Sequence, residues 1–374
     1  MKKILFGTSA LIATTFASVG GASAAGLELD FSGSYTFGAG YLHSKAFTDR
    51  TSRGAFLADG ELVATAKGTL DNGLTFGARL VFPIETSTGP STTDHVRRAT
   101  LVDATGNPIL DANGNQQFIN YTDRDTVTGR ADWYEESVGW VEGGFGRLEV
   151  GHEDGAHDRS TPGVKGTWFN AANGGGFLFD HFDGTAGGWS FDGRETGDAL
   201  KVTYWTPSFS GLKAGVSYVP NARGGRGANT ELSSTNDAWE FGVRYNGNFN
   251  DVTVDVGGGY TIDPAGNRTD DAWAVGGNLG FRQFTVGAAY EDDGNGWDGF
   301  GVGGAYNTGP WTFGVGYGRG DSITRVKGEV AQGASLGVDY ELGQGVVISA
   351  GVEWIDPPHA SDRFGAGLVT QLSF

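Results

Sequence analysis

The 374-residue sequence contains no cysteine, which excludes a disulfide framework and cysteine-based zinc sites. After residue 25 it also lacks any apolar run approaching the about 20 residues that a membrane-spanning helix needs. If the mature chain sits in a membrane, it must cross as strands. Bases are scarce, with 26 Lys and Arg against 44 Asp and Glu and a formal net charge of −18. Such an acidic chain makes a polyanion such as nucleic acid an unsuitable partner. What is abundant is glycine, 66 residues, beside ten tryptophans. Glycine at this level without a collagen period points to tightly turned β-structure or low complexity, and the aromatics argue against the second.

Residues 1–24 have the three parts of a secretory signal: Lys2 and Lys3, an apolar stretch from Ile4 to Val19, and Ala22-Ser23-Ala24 as an A-x-A cleavage site. A membrane anchor is the alternative, but the stretch is short and broken by threonine and serine. Export with cleavage would remove two lysines and leave a mature charge of −20. Residues 25–374 then read as a single β domain.

From Leu27 the chain alternates. Leu27, Leu29, Phe31, Tyr35, Phe37, Ala39 and Tyr41 fall on one parity, and Glu28, Asp30, Ser32, Ser34 and Thr36 on the other. Period two is the signature of a strand with one apolar and one wet face. Leu62 to Leu70 repeats it, Asp71-Asn72-Gly73 supplies the positive φ of a tight hairpin, and Leu74 to Ile84 returns. The same unit recurs to Phe374 and predicts sixteen antiparallel strands. Seven short turns alternate with eight longer polar segments, at 42–57, 86–132, 152–197, 221–236, 263–270, 292–297, 321–331 and 357–361. Short turns at one end and long loops at the other characterise an all-β transmembrane barrel of the outer-membrane kind, with both termini on the short-turn side. Sixteen apolar faces with no other element to cover them must meet each other or lipid. Aromatics gathered at both strand ends match the two interfaces of a bilayer.

The GLELDFSGSYTFGAGY opening, the GGFGRLEVG turn and strand, the strand number and the closing strand Gly365 to Phe374 resemble the general porins of Gram-negative bacteria, closest to the alphaproteobacterial, Rhodobacter-type porins. The resemblance implies a homotrimeric outer-membrane channel, embedded in lipid and lipopolysaccharide, for passive diffusion of small hydrophilic solutes and ions. It also implies a third loop that narrows the pore and a second that latches a neighbouring subunit. Phe374 at the terminus, with Leu372 and Leu368 on its parity, resembles the signal read by the barrel-assembly machinery, from which Thr370 departs mildly. No cofactor is implied.

The 46-residue segment 152–197 is the longest strand-free insertion, and a loop of that length inside a β framework is functional or argues against the strands. Its acids Glu153, Asp154, Asp158, Asp180 and Asp183 are expected to face basic residues on the inward parity of the wall: Lys67, Arg79, Arg147, Lys201, Lys213 and Arg244, with Arg282 on the same parity. Arg79, Lys201 and Arg244 are expected nearest the acids. Opposed charges across a narrow passage set up a transverse field that orients dipoles and sorts ions by sign. The plain alternative for each is a lumen charge bathed in water. Trp168, Phe169, Phe177 and Phe179 in the same loop either anchor it or line a sugar track, which would make the channel solute-selective.

Other patterns carry less. Gly333 to Gly337 fits G-x-S-x-G and Gly299 to Gly304 fits G-x-G-x-x-G, but a strand rather than a helix follows each, so neither a nucleophile elbow nor a pyrophosphate site is built. A barrel hydrolase needs serine, histidine and acid on neighbouring strands, and all six histidines are expected outside them. An exported adhesin would keep the loops but fill the lumen. His152, His157 and His181 share the long loop with acids at spacings too loose for a metal centre. Asp111 to Asn115 has oxygen donors at alternate positions, part of a calcium loop without its glutamate; an Asn113-Gly114 hairpin explains it better.

Overall fold

The computed structural model describes residues 26–44, 52–84, 91–100, 118–127, 136–166, 196–222, 237–262, 271–294, 298–321, 330–356 and 362–374. The signal segment, Asp180, His181, Asp183, the aromatics 168–179, the 111–115 motif and the turn at 113–114 fall outside them.

The strands are β1 (Glu28–Ser44), β2 (Ser52–Thr69), β3 (Thr75–Pro83), β4 (Ser91–Thr100), β5 (Phe118–Val127), β6 (Glu136–Gly143), β7 (Gly146–His152), β8 (Leu200–Trp205) and β9 (Leu212–Val219). There follow β10 (Ala238–Phe249), β11 (Val252–Ile262), β12 (Ala272–Phe281), β13 (Phe284–Asp292), β14 (Asp298–Thr308), β15 (Trp311–Asp321), β16 (Val330–Gly343), β17 (Val346–Asp356) and β18 (Arg363–Ser373). One five-residue helix, α1 (Ala156–Ser160), lies between β7 and β8. Sixteen strands close into an antiparallel barrel, all but β4 and β5, and β18 seals against β1 with Tyr35 opposite Leu372 and Tyr41 opposite Ala366. No described helix is long and apolar enough to cross a membrane.

The alternation survives in three dimensions. Phe31, Tyr41, Trp239, Val275, Val286, Leu336 and Leu368 are exposed on the outer face. Closure lets every strand, β1 and β18 included, find its ladder partner, and this is what permits strands to span lipid. Cross-strand aromatic pairs mark both rims. Tyr218–Trp239 (4.8 Å between centroids) and Trp273–Tyr290 (5.2 Å) stand at the long-loop end. Phe284–Tyr306 (4.8 Å) and Trp311–Tyr340 (4.5 Å) stand at the short-turn end.

Three expectations need correction. The first long segment is shorter than its polarity suggested, because β2 begins at Ser52; residues 52–60 extend the β1 ladder from His43↔Ser52 to Tyr35↔Gly60. The histidines are not all outside strands, since His43, His95 and His152 lie in β1, β4 and β7. Arg282 is not a wall residue. It occupies the β12–β13 turn at φ 53°, with its guanidinium carbon 5.0 Å from the Phe281 ring, because a two-residue hairpin needs left-handed backbone there.

The second long segment, 86–133, forms a unit of its own, in which β4 and β5 pair antiparallel from Ser91↔Val127 to Thr100↔Phe118.

Candidate functional site

After His152, the last residue of β7, the chain leaves the wall and turns inward through Glu153 to Ser160. The described residues of the long loop, 153–166 and 196–199, lie against the inner surface of the barrel. Two kinds of wall receive them.

On the side of β3 and β6–β9 the contacts are ionic. The Arg79 guanidinium on β3 sits between wall Glu136, its close partner, and loop Glu153 at 3.2 Å. Lys201 on β8 is buried, and its ammonium donates to the Glu153 carbonyl oxygen (2.6 Å) and the Gly197 carbonyl oxygen. It thereby ties the outgoing and returning limbs of the loop at the level where both leave the ladder. His152 Nδ1 adds a bond to the Asp198 carbonyl oxygen (2.9 Å). Glu149 on β7, also buried, accepts from Arg159 Nη1 (2.5 Å) and the Trp205 indole N–H (3.1 Å) and forms an ion pair with Arg147 (Nε–Oε1 2.5 Å). Arg147 stacks on Trp140 (4.3 Å), while Arg159 and Lys213 both rest on Trp205 (4.8 and 4.7 Å). Gly77 and Gly215 let these indoles lie flat, since a Cβ at either would stand 2.3 and 2.5 Å from the ring.

On the side of β10–β14 the wall offers shape. A Cβ at Gly242 would stand 1.9 Å from the Ala156 carbonyl oxygen, at Gly257 2.2 Å from that of Ser160, and at Gly259 2.0 Å from His157 Cδ2. At Gly276 it would stand 2.1 Å from the Pro162 carbonyl oxygen, and at Gly303 2.8 Å from Val164 Cγ1. These glycines are inward-facing, so their missing side chains form a bed in which the loop backbone lies. Polar wall residues pin it there. Ser217 accepts from the Ala156 N–H (2.9 Å), and one oxygen of Glu240 accepts both the Thr196 N–H (2.9 Å) and hydroxyl (2.7 Å). The amide of Asn278 donates to the Gly163 carbonyl oxygen (2.8 Å) and accepts from the Lys165 N–H (2.8 Å). His157 is fully buried with Nδ1 2.7 Å from Thr261 Oγ1.

The expected basic residues therefore divide. Arg79 meets Glu153 as a loop acid. Lys201 meets loop carbonyls rather than carboxylates. Arg244 pairs with wall Asp255 (Nε–Oδ1 2.7 Å, Nη2–Oδ2 2.8 Å), a diagonal neighbour on the next strand that reaches it before any loop acid; its remaining Nη1 donates to the Arg159 carbonyl oxygen (3.4 Å). Lys67 sits at the short-turn rim beside Glu28 (3.2 Å), both more than half exposed, away from the loop. The charge pattern also differs from an acidic loop facing a basic wall. Glu136, Glu153, Asp154 and Asp198 gather toward the long-loop end. Arg147, Arg159, Lys213 and Arg244 gather below α1 toward the short-turn end. Arg79 and Lys201 stand within the first group and Glu142, Glu149 and Asp255 within the second, so both signs occur at each level, with acids in excess at the first and bases in slight excess at the second.

Burial raises the Glu153 carboxyl above its ordinary range against the opposing pull of Arg159 and Arg79. Burial reinforced by Asp198 does the same to Asp154, which shares a hydrogen bond with Asp158. Burial, opposed by the Glu240 carboxylate, pushes His157 down to about 4. Among the described residues no group of three or more His, Asp or Glu could hold a metal ion.

Glu149, Glu240, Asn278, Ser217 and the glycine bed were not singled out from sequence. Their signal was present as polar or glycine residues on the inward parity of otherwise apolar strands.

No curated protein matches the chain in sequence. Solved structures similar in fold include a loop-deletion mutant of an outer membrane protein of Vibrio cholerae (15% identity, 93% of this chain and 99% of that one, TM-score 0.55). An anion-selective porin of Comamonas acidovorans (14%, 93% and 100%, 0.56) and a mutant porin of Rh. blastica (17%, 93% and 100%, 0.54) are likewise similar. The profile of the Gram-negative porins matches residues 7–357, and with sixteen strands closed around a lumen that one loop enters, the chain belongs to that family.

Proposed function

We propose that this outer-membrane channel discriminates by size at the loop lying on the glycine bed, and by sign through the excess of acids on its long-loop side and of bases on its short-turn side. Barrels of this strand number enclose water rather than a packed interior. A solute passing inward from the long-loop end meets the Glu136–Glu153–Asp154 group first and the Arg147–Arg159–Lys213–Arg244 group second. A dipolar solute is turned by the field between them, and transit needs no covalent step and no cofactor. Arg79, Lys201 and Arg244 act chiefly by fixing the loop and its flanking charges. The observation that carries the reading is the close fit of residues 155–164 to Gly242, Gly257, Gly259 and Gly276.

Several wider features belong to the same proposal. The channel works as a homotrimer, with the small outward row Ala64, Ala66 and Gly68 at the subunit contact and the second long segment latching a neighbour. Residues 1–24 direct export and are removed. Phe374, which exchanges backbone hydrogen bonds with Gly33 (2.9 and 3.1 Å), and Leu372 serve as the mark read by the barrel-assembly machinery.

The test is single-channel conductance of the purified, detergent-folded protein in planar bilayers. Ohmic steps that close in threes, and a cut-off as sugars of rising size are added, are expected. Silence from folded protein would sink the diffusion reading. Steps with a saturable block by one sugar would replace general diffusion with a selective channel.

A further inference from the structure

Below α1, between the loop and the short turn joining β8 to β9, the lumen wall holds a cavity of about 320 Å³ lined by Arg159, Trp205, Ser208, Lys213, Arg244 and Asn246, with Gly211. Three cations converge on it. Two are already braced: Arg159 against Glu149 at 2.5 Å, and Arg244 against Asp255 at 2.7 and 2.8 Å. Bracing fixes the guanidinium planes and uses part of each fork, since Arg159 Nη2 also reaches Glu149 (3.4 Å) and Arg244 Nη1 donates to the Arg159 carbonyl oxygen (3.4 Å); the other N–H groups have no further carboxylate within ion-pair distance among the described residues. Lys213 has, among the described residues, an indole face and no carboxylate within ion-pair distance. Among the described residues the wall thus presents one ammonium with no ion-pair partner, flanked by two oriented guanidinium groups that are each held by a carboxylate. The Ser208 hydroxyl adds a neutral hydrogen-bonding group to the rim, beside the Asn246 amide, which hydrogen-bonds Asp255. Preorganised cations that need no rearrangement are the arrangement that favours an anion over the water it displaces.

Building on the channel reading above, we propose that this cavity is a resting site for small tetrahedral oxyanions, with Lys213 as the principal donor and Arg159 and Arg244 as supporting cations. The size admits one phosphate with part of its hydration shell, and the buried Trp205 floor, covered by Arg159 and Lys213, leaves no open aromatic face for a neutral sugar. An anion that has passed the acid group would pause here before leaving at the short-turn end.

Binding is separable from conduction. Inorganic phosphate would be titrated against the full-length, detergent-folded protein at pH 7, with its ³¹P line width and relaxation as the readout. Saturable broadening is expected for the unaltered protein, about tenfold weaker affinity for Lys213→Gln, the equivalent of one charge-assisted hydrogen bond, and recovery in Lys213→Arg. Lys67→Gln, at the rim, should bind as the parent does. Absence of broadening in the parent, or equal broadening in Lys213→Gln, overturns the site. A parent that binds phosphate with this dependence on Lys213 supports it even if the bilayer experiment finds no conduction, in which case the channel reading alone fails.

Discussion

The two halves of the inner wall hold the same loop by different physics. On β3 and β6–β9, long charged side chains reach inward and Glu149 gathers Arg147 and Arg159. On β10–β14 side chains are withheld, and backbone lies on backbone over Gly242, Gly257, Gly259 and Gly276. In the function proposed above, the charged half fixes sign and field, and the glycine half fixes how far the loop stands from the wall, hence the bore. If the division is correct, substitutions in the first half should change selectivity more than conductance, and substitutions in the second the reverse.

The largest effect is expected at Glu149. Replacing it by leucine leaves the Arg159 guanidinium and the Trp205 indole N–H without this acceptor and Arg147 with Glu142 (3.6 Å) as its remaining carboxylate, and breaking a largely buried ion pair of this kind costs ~3–5 kcal/mol. The reversal potential in a salt gradient should move toward anions. Glu149→Gln, which keeps one acceptor oxygen, should move it less. An unchanged potential in both would show that these charges lie off the permeation path.

Gly259→Val comes next. Its Cβ would meet His157 at 2.0 Å from Cδ2 and 2.5 Å from Cα, and the backbone atom cannot swing aside. Overpacking of this sort costs ~1–3 kcal/mol. Lifted from its bed, α1 moves into the lumen, so conductance falls and residues 153–165 become cleavable by added protease, with ion preference little altered. Parental conductance together with parental protease resistance would break the comparison.

These two positions also show what was legible in the sequence. Strand number, closure and the outward face could be read from period two, because lipid imposes one rule on every strand. The inward parity carries no such rule. Its residues answer to a loop whose path sequence periodicity does not reveal, so Gly242 and Gly259 read only as glycine abundance, and Glu240 as one more lumen acid. The Arg79–Glu153 contact was legible because both residues flank the wall–loop junction. Arg244 was assigned to the loop because Asp255, eleven positions away, becomes its neighbour only once the β10–β11 register places Arg244 opposite Gly257.

Acid should loosen the glycine half selectively. His157 titrates at about 4 in the docked loop, below the ordinary value of 6.5. The docked form therefore excludes a proton that the released loop accepts, so docking is fully favourable above pH 6.5 and weakens as pH falls toward 4. The slope is ~1.4 kcal/mol per pH unit. Glu153 and Asp154, with raised values, act in the opposite sense, each favouring docking more as it gains its proton. Closure events counted between pH 7 and 5 in the parent and in His157→Gln isolate the histidine's share, since the substituted channel should lose the acid-induced part. Identical profiles would remove His157 from the mechanism.

The smallest effect sharpens the charged half by bounding it. Lys67 shares inward parity with Arg79, yet it lies at the rim with Glu28, both side chains more than half exposed. Exposed pairs contribute ~0–1 kcal/mol and are screened by salt. Lys67→Gln should therefore leave conductance, reversal potential and thermal stability at parental values in 0.15 M salt, where the Debye length is about 8 Å. A shift in reversal potential comparable to that of Glu149→Gln would mean that the charged region extends to the short-turn mouth, and that selectivity is a property of the whole basic wall rather than of the residues grouped around Glu149.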